Sequence, residues 1–534
     1  MSSTTSKTSL MPSREEAEKR HRRRRALDIL ARYGIGFGGI SVIVTILLIF
    51  FYLFWVVFPL FNSANIEQKH SFAVPAQNEQ TLFYGIEEQA GMAYRLTDQA
   101  RLHFFSTESG EISSTIDLPV PDGAKIASFA RSNQAQGIFA VAYEGGHVYA
   151  GKIKFDITYP ENKRFITPVV EHLLGEAVVS LLDEEVQIVH LSIQATEEAG
   201  FSIAAVLDDQ RAFLTSFVIE ESFMSDEPEV EKLITEIEEA PRSVKRVLMD
   251  KDLSVLTLLD TEGKLSRFDI SDKEDVSLSE TVDVGNGKKV TDIQYLAGSI
   301  SLLIADNGGK VTQWFNVRDE NNKTRLTKIR DFDIDSTGEI QIAPEYFRKG
   351  FIVSTDEGHV SLFHTTAQRN LASEDLENTS IQRVVFSPRA DFVLMETGAG
   401  EILTWHVENE HPEVSWHSLW QKVWYEGYEE PDYIWQSSAS SNDFEPKLSL
   451  VPISFGTLKA AFYAMLLAMP LAILGAIYAA YFMSSKLRQS VKPTIEIMEA
   501  LPTVILGFLA GLWLAPFLEA YLPAVFALLI ILPL

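Results

Sequence analysis

The chain has no cysteine among its 534 residues. It therefore forms no disulfide bond, binds no metal through thiolates and has no cysteine nucleophile. Positive charge is also scarce, because 46 Lys and Arg face 73 Asp and Glu and the formal net charge is -27. Proteins that neutralise nucleic-acid phosphates need clustered Lys and Arg, so this balance argues against a nucleic-acid partner. We interpret the acidity as a source of solubility, with an acidic docking surface as the alternative.

Motifs for nucleotide hydrolysis and metal binding are missing as well. The nearest approach to a phosphate-binding loop, residues 285–289, lacks the spacing and the hydroxyl of Gly-x4-Gly-Lys-Ser/Thr. The acidic run at residues 331–338 lacks the glycine and the final glutamate of a calcium loop. No His-Glu-x-x-His spacing occurs. We therefore predict no cofactor, no metal site, no catalytic residue and no ATPase site, which means a protein that is not an enzyme.

What the sequence does contain is long apolar runs near both ends. The first, residues 33–61, follows a basic run that includes Arg22 and Arg25. It is about twice as long as the core of a signal peptide and no convincing small-x-small cleavage site follows it, so we interpret it as an uncleaved membrane helix. Cations cluster on the cytoplasmic side of membrane helices, which predicts that residues 1–32 are a basic cytoplasmic N-terminus.

Three further membrane spans are predicted within residues 452–534, namely 452–483, about 493–514 and 522 onward. The loop at 484–492 carries three cations and no acidic residue, which again indicates the cytoplasmic side. Residues 62 to about 450 then lie outside the cytoplasm, as does a short turn at 515–521. The last span is cut at Leu534.

The membrane runs contain residues that are expected in a packed bundle. Pro470 lies in one run and small residues allow close helix approach. Acidic groups within a membrane are functional candidates by default, although placement at the lipid headgroups is an equal alternative for the two glutamates here. The predicted substrate-path candidates are Glu496, Glu499, Pro502, Thr503 and Gly507.

An aromatic linker, residues 413–451, precedes the second membrane run. Trp416, Trp420 and Trp424 are spaced i, i+4, i+8, which predicts that they share one face of a helix, and Trp435 follows them. Trp and Tyr favour the membrane–water interface. We therefore predict an interfacial helix, with packing into the core of the preceding domain as the alternative.

A repeat recurs within residues 62–412. Each copy has a small turn residue, an aliphatic residue two positions later and an aromatic residue five positions later. Four clear copies, an early copy and two degenerate copies are at 263–268, 309–314, 358–363, 400–405, 100–105, 146–149 and 211–214. Their spacing of about 42 to 65 residues, with several strands in each, is typical of propeller blades. Seven copies predict seven blades.

The widest interval, residues 152 to about 187, predicts an insertion in one blade. A propeller suits insertion between two helices because its two ends can lie close together. Two β-sandwiches are the alternative. The predicted fold class is an α-helical polytopic membrane protein with a large inserted all-β extracytoplasmic domain, a seven-bladed β-propeller.

The stretch from Trp416 to Gly511 resembles the phosphate ABC importer permease of the PstC type, in its long form with a periplasmic domain. The residues that carry the resemblance are Ser-Phe-Gly-Thr-Leu at 454–458, Lys-Pro-Thr at 492–494 and Glu-Ala-Leu-Pro-Thr-Val-Ile-Leu-Gly at 499–507. The resemblance implies a type I importer half in a bacterial inner membrane. It also implies alternating access for inorganic phosphate, a second permease subunit, a cytoplasmic ATPase dimer and a periplasmic phosphate-binding protein.

The sequence departs from that family at its C-terminal end. The family's coupling loop, which contacts the ATPase, and its last two helices are not present before Leu534. The sequence is therefore expected to be a fragment of a longer protein or a shortened gene product. A second hypothesis is a membrane-anchored periplasmic propeller that acts as a scaffold or sensor and binds a protein partner.

Overall fold

The computed structural model describes residues 14–132, 136–175, 178–196, 200–220, 229–336, 338–438, 445–499 and 503–531. The chain divides into two compact units, Met1–Val451 and Pro452–Leu534. The first unit contains one long helix and a ring of β-sheets, and the second is helical. In chain order the helices are α1 (Arg14–Val57), α2 (Trp416–Trp420), α3 (Leu450–Ile477), α4 (Ser485–Glu499), α5 (Thr503–Leu509), α6 (Ala515–Ala520) and α7 (Leu522–Ile531).

The strands lie between α1 and α3. They are β1 (Asn65–Ala73), β2 (Thr81–Ile86), β3 (Met92–Thr97), β4 (Arg101–Ser106), β5 (Ile112–Asp117), β6 (Ile126–Arg131), β7 (Ile138–Tyr143), β8 (His147–Thr158), β9 (Phe165–His172), β10 (Val179–Ser180), β11 (Ile188–Thr196), β12 (Gly200–Leu207), β13 (Ala212–Glu220), β14 (Glu229–Glu236), β15 (Val244–Met249), β16 (Val255–Asp260), β17 (Lys264–Asp269), β18 (Ser277–Asp283), β19 (Val290–Tyr295), β20 (Ser301–Asp306), β21 (Lys310–Arg318), β22 (Thr324–Asp333), β23 (Ile340–Pro344), β24 (Gly350–Thr355), β25 (His359–His364), β26 (Arg369–Asp375), β27 (Ile381–Phe386), β28 (Phe392–Thr397), β29 (Glu401–Glu408), β30 (Trp435–Gln436) and β31 (Lys447–Leu448).

These strands form a seven-bladed β-propeller, as the repeat predicts. Six blades are built from antiparallel strands that are consecutive in the chain, β2–β5, β6–β10, β11–β14, β15–β18, β19–β22 and β23–β26, and in the second of these β9 and β10 both pair with β8. The seventh combines β27, β28 and β29 from the end of the domain with β1 from its beginning. Since β1 pairs with β29 from Asn65↔Glu408 to Ala73↔Glu401, the first strand of the domain closes the ring.

Each repeat copy supplies the third strand of one blade, at β4, β8, β13, β17, β21, β25 and β29. The sharp turn before that strand explains why most copies of the repeat begin with glycine. Gly358 has φ +90°, and a Cβ there would clash with the carbonyl oxygens of Leu376 and Thr379. Only glycine fits both the left-handed backbone and the close approach of the neighbouring chain.

The hydrophobic cores lie between blades. The described residues form seven buried clusters, and each joins two adjacent sheets of the ring. In one of them Val311 of the fifth blade packs with Phe351 and Phe363 of the sixth. The aliphatic and aromatic positions of the repeat therefore serve the contact between blades, which is how a radial fold buries its sheets.

The predicted insertion lies in the second blade. Its third strand, β8, pairs with β7 only as far as Lys152↔Ile138, whereas β9 pairs with β8 from Gly151↔His172 out to Thr158↔Phe165. Residues 153–170 therefore form a hairpin that extends past the end of β7. We call it the blade-2 hairpin.

The two faces of the propeller differ in what they carry. In each meander the loops after the first and third strands lie on one face, and the other loops lie on the opposite face. Because Asn65 pairs with Glu408, the chain both enters and leaves the ring on the face that carries the loops after the first and third strands. We call this the attachment face.

The connection from β1 to β2, residues 74–80, is held by a buried arginine. Arg95, which has no exposed surface, donates to the backbone carbonyl oxygens of Pro75 and, at 2.6 Å, of Glu79. This connection joins the seventh blade to the first, so Arg95 fixes the point at which the ring closes.

Glu79 makes this closure sensitive to acid. Burial alone would raise the pKa of its carboxyl, but hydrogen bonds from Thr97, His103 and Arg101 outweigh that effect and hold the pKa at about 2, below its usual 4.5. As the pH falls from 4.5 to about 2, the unfolded chain binds a proton that the folded chain does not, and stability is lost.

We expect Glu79→Gln to lower stability near neutral pH and to flatten the loss of stability across that acidic window. Urea unfolding measured at a series of decreasing pH values tests this. The control is Glu111→Gln at an exposed position, which should leave the acid dependence unchanged. An unchanged acid profile in Glu79→Gln would contradict the assignment.

Apolar helices flank the propeller in the sequence. Among the described residues, His21–Leu60 and Leu450–Phe482 are long and apolar enough to cross a membrane, and the pair Leu506–Ala520 and Leu522–Leu528, bent by 86°, is a third candidate. The protein is therefore membrane-associated. Residues 1–13 lie outside the described part of the chain. The basic run and most of the first apolar run belong to one continuous helix, α1.

The membrane part differs from the sequence-based expectation in two ways. Residues 485–492 of the predicted loop lie within α4, because the Lys, Leu, Arg and Gln of this stretch favour a helix. The predicted turn at 515–521 is mostly α6, where Pro516 occupies the first helical turn and needs no hydrogen-bond acceptor there. The predicted packed bundle stays a prediction, and among the described residues none of α3 is buried.

Candidate functional site

The segment that follows β29 makes buried polar contacts on the attachment face. It begins with α2, where Ser415 and Ser418 form a reciprocal capping box. A backbone bridge between Val423 and Asp432 and the strand pair β30–β31 then lead to Leu450, where α3 begins. We call residues 409–449 the docking segment, of which residues 439–444 lie outside the described part of the chain.

A buried ion pair joins the docking segment to the propeller. Lys349 Nζ lies 2.6 Å from Glu426 Oε2, and the two side chains are 1% and 4% exposed. Lys349 also donates to the carbonyl oxygen of Ala297 at 2.6 Å, and Ser301 donates to the other carboxylate oxygen of Glu426 at 2.5 Å. Both charges therefore have several polar partners, which a buried pair requires.

Further hydrogen bonds extend this network. Glu445 accepts from the backbone N–H of Glu426 at 2.9 Å and from the hydroxyl of Thr366. Arg330 donates to the carbonyl oxygens of Thr365, at 2.6 Å, and of Trp424. The partners on the propeller belong to the fifth and sixth blades, so the docking segment is fixed to that part of the attachment face.

Burial governs the protonation of these groups. Burial raises the pKa of Glu426, and the neighbouring Lys349 opposes this increase. Burial lowers the pKa of Arg330. Burial beside Arg348, Arg330 and Lys349 also lowers the pKa of His364 to about 3, so this imidazole is neutral at physiological pH. Burial and the neighbouring charged groups therefore set the protonation states at this site.

The predicted tryptophan helix is shorter than the spacing suggests. Trp416 and Trp420 lie in α2 with their rings 6.1 Å apart, but the helix ends at Trp420 because Gln421 is extended, with φ -111° and ψ 166°. Trp424 lies beyond the helix and packs against Phe315 of the propeller. The prediction of one shared helix face is wrong for Trp424.

The exposed tryptophans remain candidates for a membrane interface. Trp416 is 73% exposed, and Trp420 and Trp435 are also exposed, whereas Trp424 is half-buried. Trp435 lies in β30. The docking segment therefore combines one face that is fixed to the propeller with large aromatic side chains that are open to their surroundings.

The predicted substrate-path residues lie in α4 and α5 and in the stretch between them. Glu496 is exposed in α4, Thr503 is exposed at the start of α5, and a Cβ added at Gly507 would have no atom within 4 Å. Glu499 ends α4, but its side chain lies outside the described residues, as does Pro502 altogether. Their role stays a prediction.

Three side chains of the sixth blade have the hydrogen-bond order of a serine hydrolase. Asp375 Oδ1 lies 2.7 Å from His359 Nδ1, and His359 Nε2 lies 2.6 Å from Ser361 Oγ. Ser361 is fully buried and also bonds Ser373 at 2.8 Å. A nucleophile must be accessible to its substrate, and the buried Ser361 is not. We therefore interpret these hydrogen bonds as contacts that stabilise the pairing of β25 with β26.

A channel of about 970 Å³ runs along the propeller axis and is lined by the first strands of all seven blades. Asp292 lies in it and accepts from the backbone N–H of Ile342 at 2.9 Å, while burial raises the pKa of its carboxyl. Within the part of the chain that is described, no group of three or more His, Asp or Glu could hold a metal ion.

Sequence reasoning missed the groups of the docking network. Lys349 and Glu426 are 77 residues apart, and Arg330 and Trp424 are 94 apart. No local spacing links such residues, and each charge taken singly looks like an ordinary surface group.

Fold and site together define a membrane-associated protein with a seven-bladed propeller fixed to the segment that leads into an apolar helix. No family model matches the chain. It is 27% identical over 90 residues to the protein of Bacillus subtilis (strain 168) named "Probable ABC transporter permease protein YqgH", and this covers 17% of the chain and 29% of that protein. The match links a part of the chain to ABC transporter permeases.

Among solved structures, the β-propeller domain of Cps50 (Swd1) from Myceliophteria thermophila aligns with a TM-score of 0.42 at 10% identity. The alignment covers 64% of this chain and 100% of that one.

Proposed function

We propose that the chain belongs to a permease subunit of an ABC importer that forms half of a translocation pathway. The observation that carries this proposal is the match to a permease in a chain whose propeller lies between apolar helices. Inorganic phosphate is the proposed substrate, on the resemblance of residues 416–511 alone. The proposed partners are a second permease subunit, a cytoplasmic ATPase dimer and a periplasmic phosphate-binding protein.

In this proposal the chain itself is not an enzyme, and a separate ATPase supplies the energy for alternating access. No described residue of α3 is buried. Because a helix that is apolar all round is stable only when its surface is covered, α3 requires helical partners or lipid around it. Glu496, Glu499, Pro502, Thr503 and Gly507 are the proposed path residues. Helix-breaking residues near mid-membrane are typical of substrate sites in transporters.

The docking network supports a mechanical role for the propeller. Lys349 and Arg330 bind residues of the segment that leads to Leu450, the first residue of α3. A partner that moves the propeller would therefore also move the start of this helix. We propose a bacterial inner-membrane, multi-pass protein with a cytoplasmic N-terminus and a periplasmic propeller.

Purification and uptake test the proposed function. A tagged chain, solubilised in mild detergent, should co-purify with an ATPase and a second permease subunit, and deletion of its gene should lower uptake of radiolabelled phosphate. Uptake of an unrelated solute serves as the control. Phosphate uptake at the normal rate in the deletion strain, with no ATPase in the purified complex, would contradict the proposal.

The scaffold or sensor hypothesis draws support from the axial channel, which offers a partner or ligand about 970 Å³ lined by seven blades. It predicts co-purification with periplasmic proteins only. The same purification therefore distinguishes the two functions.

A further inference from the structure

We propose that the blade-2 hairpin of the propeller contacts the lipid surface, at a place separate from the docking segment. Such a contact requires the membrane helices but not the importer function. The occupant of this surface is the headgroup region of the bilayer that α1 and α3 enter.

The position of the hairpin favours this contact. It leaves the second blade on the attachment face, beyond the end of β7, and lies against the first blade. Arg164 Nη2 is 2.5 Å from Glu87 Oε1 in the loop between β2 and β3, and the ring of Phe155 lies 6.1 Å from that of Tyr94. These contacts fix the hairpin to a neighbour of the seventh blade.

The covalent connection places this face near the membrane. The first apolar segment continues to Phe61, and β1 begins at Asn65. Four residues of extended chain span at most about 14 Å. The edge of the seventh blade therefore stays close to the end of the first membrane helix. The exposed tryptophans of the docking segment lie on the same face, on the other side of the seventh blade.

The side chains of the hairpin suit an interface. Its outward apolar residues include Tyr159 and Phe165, which are 63% and 59% exposed, together with Ile157 and Val169. Exposed aromatic and aliphatic side chains at a hairpin tip are unfavourable in water and favourable at the boundary between headgroups and acyl chains.

The local charge also fits. Within the hairpin, residues 153–170, there are three cations, Lys154, Lys163 and Arg164, and two acidic residues, Asp156 and Glu161. The chain as a whole has a formal net charge of -27. Lys154 pairs with Glu171 and Arg164 pairs with Glu87, and the hairpin keeps a small positive net charge within an acidic protein, so anionic headgroups do not repel it.

Because the chain has no cysteine, a single thiol can report the surroundings of the hairpin. Phe165→Cys and, as a second variant, Tyr159→Cys would be labelled with bimane in the full chain and reconstituted into nanodiscs of phosphatidylethanolamine and phosphatidylglycerol. The matched control is Val120→Cys, a 45% exposed position in the loop between β5 and β6 on the opposite face.

Doxyl-labelled lipids should quench the label at 165 and 159 roughly twofold more than the label at 120, since interfacial side chains lie roughly 5–10 Å into the headgroup region. Aqueous iodide should show the reverse order. Equal lipid quenching at the three positions would overturn the proposal. The proposal would also be overturned if iodide quenched the label at 165 freely in nanodiscs and only an added protein protected that label from iodide.

Discussion

Replacement of Lys349 by Met is expected to release the docking segment from the propeller. The change keeps the length and apolar stem of the side chain but leaves the carboxylate of Glu426 buried without its cation. Removing one partner of a buried ion pair costs about 3–5 kcal/mol. Hydrogen exchange followed by mass spectrometry should show faster exchange at Val423 and Ser449, whose amides are hydrogen-bonded within the segment.

Two further variants separate the buried charge from a general effect of losing a lysine. Lys264→Met removes an exposed pair with Glu262 and should leave stability nearly unchanged. In Lys349→Met, the second change Glu426→Gln removes the orphaned charge and should restore most of the protection. If Lys349→Met exchanges no faster than Lys264→Met, the ion pair does not hold the segment.

The second large effect is expected at the ring closure, from Ile66→Asp. Ile66 of β1 is buried opposite Val407 and packs with Leu403 and Trp405 of β29. A carboxylate there has no cation partner among these apolar neighbours, and we expect a loss of about 3–5 kcal/mol, the range of the most damaging core changes. Urea unfolding of the full chain measures it.

An engineered disulfide tests whether this loss comes from an open ring. Asn65 and Glu408 are paired across the same two strands and both are exposed. Cysteines at these positions, introduced into Ile66→Asp and oxidised, should recover roughly 2–4 kcal/mol. The control Ile112→Asp changes an exposed residue of β5 and should have little effect. A comparable loss in Ile112→Asp would contradict the closure argument.

The blades could be predicted from the sequence because each carries its own signal. A left-handed glycine, an aliphatic residue and an aromatic residue mark the third strand of a blade, as at Gly358, Val360 and Phe363. Turn geometry and the alternation of a strand are local properties, so even the degenerate copies beginning at positions 146 and 211 marked the correct strands.

The tryptophan segment could not be predicted in the same way. The spacing of Trp416, Trp420 and Trp424 fits a helix, but the backbone carbonyl of Trp424 accepts from Arg330 and its ring packs on Phe315. These contacts with the fifth blade override the helical periodicity after Trp420. A spacing rule contains no information about groups that are 94 residues away.

By itself the sequence determined the seven-bladed ring, an insertion in one blade between residue 152 and about 187, and the apolar helices on either side, because turns, strand alternation and long apolar runs act over a few neighbouring residues. Only the tertiary structure decided that β1 closes the ring, that Lys349 and Glu426 fix the docking segment, and that the blade-2 hairpin lies on the attachment face. Those features depend on contacts between residues far apart in the chain, and such contacts exist only once the blades are in place.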